Sequence, residues 1–75
     1  MNKIRRQQLR KWLEDIEKIK GELETIYSDE QDYFDNMPEN LQGSQRGMDA
    51  EEAIEQLEEA VSSLEDAISI IEDIV

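Results

Sequence analysis

The stretch Ala50-Glu51-Glu52-Ala53-Ile54-Glu55-Gln56, Leu57-Glu58-Glu59-Ala60-Val61-Ser62-Ser63, Leu64-Glu65-Asp66-Ala67-Ile68-Ser69-Ile70, Ile71-Glu72-Asp73-Ile74-Val75 decides the fold. It is a seven-residue unit repeated to the end of the sequence. With Ile54, Val61, Ile68 and Val75 at heptad position a, residues Ala50, Leu57, Leu64 and Ile71 fall at d, and all of them are apolar. Ala53, Ala60, Ala67 and Ile74 form the g column. Positions e and f are acidic at every occurrence from Glu51 to Asp73. A repeat of this period specifies an α-helix with one wide apolar face and one acidic face. Such a helix needs a partner.

The first half of the chain supplies one in the same period. Taking Leu9, Ile16, Leu23 and Met37 as a, with Trp12, Ile19, Ile26 and Tyr33 as d, leaves Glu30 as the only polar seam position between residues 9 and 37. Leu13, Tyr27 and Phe34 widen the apolar face on the e side. Gly21 falls at f, the outermost position, where it costs about 1 kcal/mol of helix propensity and disturbs no packing. The sequence therefore predicts helix from about residue 2 to residue 36.

Between the two repeats, Met37 precedes Pro38, which disfavours helical geometry at Met37, and Asn36, Asn40 and Gly43 are turn or cap residues. Pro38 to Gln42 fits one helical turn closed by Gly43. For the second helix, Ser44 is one N-cap and Asp49, with Glu52 three residues on, is another; Ser44 is preferred. A turn over residues 37–43 and a second helix over residues 44–75 follow. Matched helix lengths and a short loop predict an all-α fold, a coiled-coil-like antiparallel two-helix hairpin forming a single domain over residues 1–75.

Three apolar columns per helix exceed what two helices cover, since a coiled-coil seam uses a and d alone. Pairing of two hairpins into a four-helix bundle is expected, with Trp12, Ala53, Leu57, Ala60, Leu64, Ala67 and Ile71 as candidates for the homodimer interface. Length agrees. Seventy-five residues bury little apolar surface alone, and the absence of Cys and His removes disulfides and the usual transition-metal ligands as staples.

Charge is large and lopsided. The net charge is −12; residues 1–20 carry seven Lys/Arg against three acids, a net of +4, and residues 21–75 carry Arg46 against seventeen acids, a net of −16. An antiparallel hairpin should lay Arg5, Arg6, Arg10 and Lys11 beside Glu65, Asp66, Glu72 and Asp73. The acidic excess repels nucleic acid and anionic membranes and attracts basic proteins. No apolar run approaches the length of a membrane span, and the basic start leads into amphipathic sequence rather than a signal peptide, so a cytoplasmic location is expected.

Chemistry is sparse. Glu51, Glu52 and Glu55 form an E-E-x-x-E cluster that resembles the magnesium-binding helix of the all-α nucleotide pyrophosphohydrolases, but the second acidic motif of that family is missing. Di-iron carboxylate bundles pair Glu with His, and there is no His. Asp29, Glu30, Asp32 and Asp35 lack the Gly and alternation of a calcium loop. Ser62, Ser63 and Ser69 have no base to activate them. The residues predict no enzyme activity, no cofactor and no metal site.

The remaining features point to protein contact. The acidic doublets Glu51-Glu52 and Glu58-Glu59 recur every seven residues, about 10.5 Å along a helix, a ladder suited to mimicking nucleic acid in a basic cleft. The turn places Phe34 and Leu41 next to Asp35 and Glu39, an apolar and charged mixture that protein-binding surfaces use; Tyr33 and Met37, on the seam, are expected to plug the end of the bundle. Ile4 and Ile70 lie off both seams.

The turn Tyr33-Phe34-Asp35-Asn36-Met37-Pro38-Glu39-Asn40-Leu41-Gln42-Gly43-Ser44, followed by Ala50-Glu51-Glu52-Ala53-Ile54 and Leu57-Glu58-Glu59-Ala60, resembles a family of small acidic helical proteins encoded by phages and mobile elements of low-GC bacteria. The similarity spans roughly residues 14–75. It implies an accessory protein that binds and inhibits a host protein in the bacterial cytosol. The alternative is a structural or assembly protein whose role is its own oligomer.

Overall fold

The computed structural model describes residues 1–75. It is all-α: α1 spans Lys3–Asp35, α2 is the single turn Glu39–Gln42, and α3 spans Gln45–Ile74. Asn2 caps α1, its side-chain oxygen accepting from the Arg5 backbone N–H at 2.8 Å. The helix passes through Gly21 without a break and stops at Asn36, two residues before Pro38. Ser44 caps α3, accepting from the Gly47 N–H. The expected helical turn after Pro38 forms as α2, with Gly43 behind it.

The corner depends on a close backbone approach. Gln42 Nε2 donates to the carbonyls of Phe34 and Met37, 3.3 Å each, and ties α2 back to the end of α1. Gly47, in the first turn of α3, is buried against Gln42, and a Cβ there would overlap the Gln42 carbonyl. Only glycine lets the chain fold back so tightly.

α1 and α3 then run antiparallel. Lys20 Nζ lies 3.5 Å from Glu65 Oε1, and Arg10 Nη2 donates to the Val75 carbonyl at 3.2 Å. In both pairs the residue numbers add to 85, which sets the level of every other residue. The rod is 58 Å long. No helix is long and apolar enough to cross a membrane.

The seam differs from the one predicted on α1. α3 buries Ala50, Ile54 and Ile68 and half-buries Leu57, Val61, Leu64 and Ile71, so its a and d columns face α1 as expected. On α1 the half-buried residues include Leu9, Leu13, Ile16, Lys20, Leu23, Tyr27 and Phe34, which are the a and e columns. The d column is outside: Trp12, Ile19, Ile26 and Tyr33 are 49%, 50%, 52% and 44% exposed. Trp12 is thus not in the hairpin core. The physical reason is coverage. Columns d, a and e span about 100° of the helix, a single facing helix covers two columns, and with a and e inward Lys20 sits in reach of Glu65.

The roles expected at the turn also change. Phe34 packs inward with Met37, whereas Tyr33 and Leu41 are each close to half exposed. Phe34 therefore behaves as the plug, and Tyr33 as the exposed aromatic. The expected clustering of basic residues against the far end of α3 yields one hydrogen bond, from Arg10; the cross-helix ion pair belongs to Lys20, further in.

Candidate functional site

Side chains at heptad positions d and g lie next to each other around a helix. With a and e of α1 turned towards a and d of α3, the d column of α1 and the g column of α3 emerge on the same side of an antiparallel pair. The common level sets Trp12 beside Ile74, Ile19 beside Ala67, Ile26 beside Ala60 and Tyr33 beside Ala53. Ala60 and Ile74 are exposed, and Ala53 and Ala67 are half-buried at the edge of the seam. One face of the hairpin is therefore a strip of four large side chains alongside mainly small ones. Ile70, largely exposed, extends it next to Ile74.

The opposite face is built from b of α1 and e of α3. It presents Glu51, Glu58, Glu65 and Glu72, with Glu17 and Glu24 across from them, and all are exposed. Glu52, Glu59, Asp66 and Asp73, one position further round α3, are exposed as well. Lys20 bridges Glu24 at 3.6 Å and Glu65 at 3.5 Å on this face, and the b column also places Arg10, exposed, at its far end against the Val75 carbonyl. The expected acidic ladder is thus present along α3 as a solvent-facing surface. No group of three acidic side chains converges as a metal-binding cluster.

The turn contributes a third surface. Tyr33, Met37, Pro38 and Leu41 line a shallow open recess, with Arg46 at its edge. Asp35 and Glu39 are exposed beside it, and Asp35 accepts a hydrogen bond from Gln31 at 3.0 Å. Of the turn residues read as contact candidates, Leu41, Asp35 and Glu39 reach solvent freely and Phe34 only in part.

The candidates for a dimer interface divide in two. Trp12 and Ala60 lie on the open apolar strip, flanked by Ala53 and Ala67. Leu57, Leu64 and Ile71 are occupied within the hairpin seam. The residues that sequence reasoning left out of this surface are Ile19, Ile26, Tyr33 and Ile74. The signal that distinguishes d from e on α1 is charge: Lys20 at e is opposite the all-acidic e column of α3, as facing e positions of antiparallel helices are.

No protein-family model, no curated protein and no solved structure matches this chain.

Proposed function

We propose that this chain is a small acidic protein-binding module that works as a pair of hairpins. The apolar strips join two hairpins into a four-helix bundle, and the acidic faces left outside occupy a basic cleft on another protein, inhibiting it as a nucleic-acid mimic does. The single observation that supports this reading is the two-sidedness of the hairpin, an uncharged strip of Trp12, Ile19, Ile26 and Tyr33 on one face and an acidic ladder on the other. Apolar surface of that extent marks an interface on a soluble protein. A ladder of like charge raises the encounter rate with an opposite surface. If the likeness to phage proteins holds, the partner is a basic bacterial protein.

The test uses the intact protein as bait for nucleic-acid-binding proteins from a bacterial lysate, in parallel with a variant carrying Glu51→Gln, Glu52→Gln, Glu58→Gln and Glu59→Gln. A basic protein retained by the parent, lost with the variant, and released from its nucleic acid by the parent supports the inhibitor reading. Retention unchanged by the variant overturns the role of the acidic ladder. A second reading, an assembly protein whose role is its own oligomer, is favoured by the thin core, in which Ala50, Ile54 and Ile68 are the only buried apolar residues and none is wholly out of water. Recovery of the chain alone, as a discrete oligomer, supports that reading.

A further inference from the structure

We propose that the second hairpin sits on the apolar strip in one particular arrangement, with the two-fold axis parallel to the helices, α1 of each copy lying on α3 of the other, and both turns at the same end. The proposal rests on the dimer reading above and goes beyond it by choosing between the two ways in which identical strips can face each other.

Shape is the first discriminator. In the parallel-axis arrangement the levels within the hairpin are repeated between copies, so Ile19 of one copy lies over Ala67 of the other, Ile26 over Ala60 and Tyr33 over Ala53. Large side chains meet small ones in these three layers, which is how facing helices interdigitate at native density, and Trp12 over Ile74 is the one bulky layer, at the end away from the turn. The other arrangement, with the axis perpendicular to the helices, stacks α1 on α1 and α3 on α3. It brings bulky column against bulky column on one side and, on the other, Ala60 against Ala67 at the centre with Ile74 of each copy over Ala53 at the ends. One half would be overfilled and the other left open.

Charge is the second discriminator and is independent of the first. Lys18 and Lys11 are exposed on the outer side of the strip and make no ion pair within the hairpin, whose cross-helix bridge uses Lys20. The parallel-axis arrangement sets Lys18 level with Asp66 of the other copy and Lys11 level with Asp73, sets Asp15, Glu22 and Asp29 over the uncharged Ile70, Ser63 and Gln56, and leaves Asp32 and Glu52 as level like charges at the turn end. The perpendicular axis instead brings Asp15 of one copy towards Asp29 of the other and Glu22 towards its own equivalent. Half-exposed side chains of this size leave on the order of 100 Å² each in water. The six side chains of column d, Ile70 and Ile74 thus supply roughly 600 Å² of apolar surface per copy, which with its rim approaches the ~800 Å² that each partner buries in a standard interface.

The chain has no Cys, so an introduced thiol reports on its own position. Ile26→Cys and Ala60→Cys chains, both altered at exposed sites, are purified separately, checked for helicity by circular dichroism, mixed and oxidised. A disulfide-linked heterodimer in the mixture, with little linkage in either variant alone, is the expected result. Sedimentation equilibrium is run on the parent, on Lys18→Glu, and on Lys18→Glu with Asp66→Lys. The first substitution should weaken dimerisation several-fold, and the second should restore it. A dimer that links Ile19→Cys to Ile26→Cys chains, and in which Asp66→Lys restores nothing, overturns the arrangement and leaves self-association standing. A monomer at every concentration, or a strip that binds only a foreign protein, overturns both.

Discussion

α1 and α3 carry the same heptad period, yet all the buried residues belong to α3 and none to α1. The difference lies in what the third apolar column is made of. On α3 it is alanine at three positions of four, small enough to sit at the edge of the seam. On α1 it is Trp12, Ile19, Ile26 and Tyr33, which a single partner helix cannot cover together with a and e. Equal periodicity therefore leads to unequal burial: α3 anchors the hairpin, and α1 carries its open apolar surface.

The sharpest way to break this comparison is to shorten one side chain on each helix. Ile54→Ala or Ile68→Ala, at the buried positions of α3, should lower stability by about 2 to 5 kcal/mol. Leu23→Ala, at the half-buried centre of α1, should cost roughly half as much, since less area leaves water there. Urea denaturation midpoints compare them, and equal losses would show that the two helices share the core evenly.

The corner comes next in size. Gly47→Ala forces a methyl group against the Gln42 backbone and is expected to cost about 1 to 3 kcal/mol by overpacking. Gly21→Ala, where the added carbon meets open space on α1, should instead raise stability by up to about 1 kcal/mol through helix propensity. Opposite signs at the two glycines in thermal melts are the outcome to look for; a gain at both would mean that α2 does not press on α3.

Caps follow. Ser44→Ala removes the acceptor for the Gly47 N–H and should cost about 1 kcal/mol. Asn2→Ala removes the matching acceptor on α1, but that bond is exposed to water where the Ser44 bond is part-buried, so a smaller loss is expected. Amide exchange at the first turn of each helix measures both. A larger loss at Asn2 would mark α1 as the better-ordered helix.

Charge has the smallest effect. The Lys20 pairs, half-buried at the lysine and open to water at Glu24 and Glu65, contribute at most about 1 kcal/mol, so Lys20→Gln should shift the melting temperature only slightly. With a net charge of −12, repulsion along α3 should dominate, and added salt should raise the melting temperature as it screens that repulsion. A melting temperature that falls with salt would mean that attraction between the basic half of α1 and α3 outweighs it.

Most of the fold was legible in the residues because it is local. The heptads, Asn36-Met37-Pro38 and the Ser44 cap act through contacts within a few positions, and they determine helices, turn and the antiparallel return without reference to anything distant. Glu51, Glu52, Glu58 and Glu59 were equally legible as a solvated ladder, because charges at e and f have nowhere else to point. The rotation of α1 about its own axis was not legible. Column d is apolar throughout and column e carries Lys20, so hydrophobicity favours d inward, and the opposite choice depends on Lys20 meeting Glu65 across the pair, forty-five positions away. The exchange of roles between Tyr33 and Phe34 follows from the same rotation. Periodicity by itself determined how many apolar columns this chain has; only the tertiary structure decided which of them stays in water, because a helix can turn about its axis at little local cost until a partner's side chains hold it.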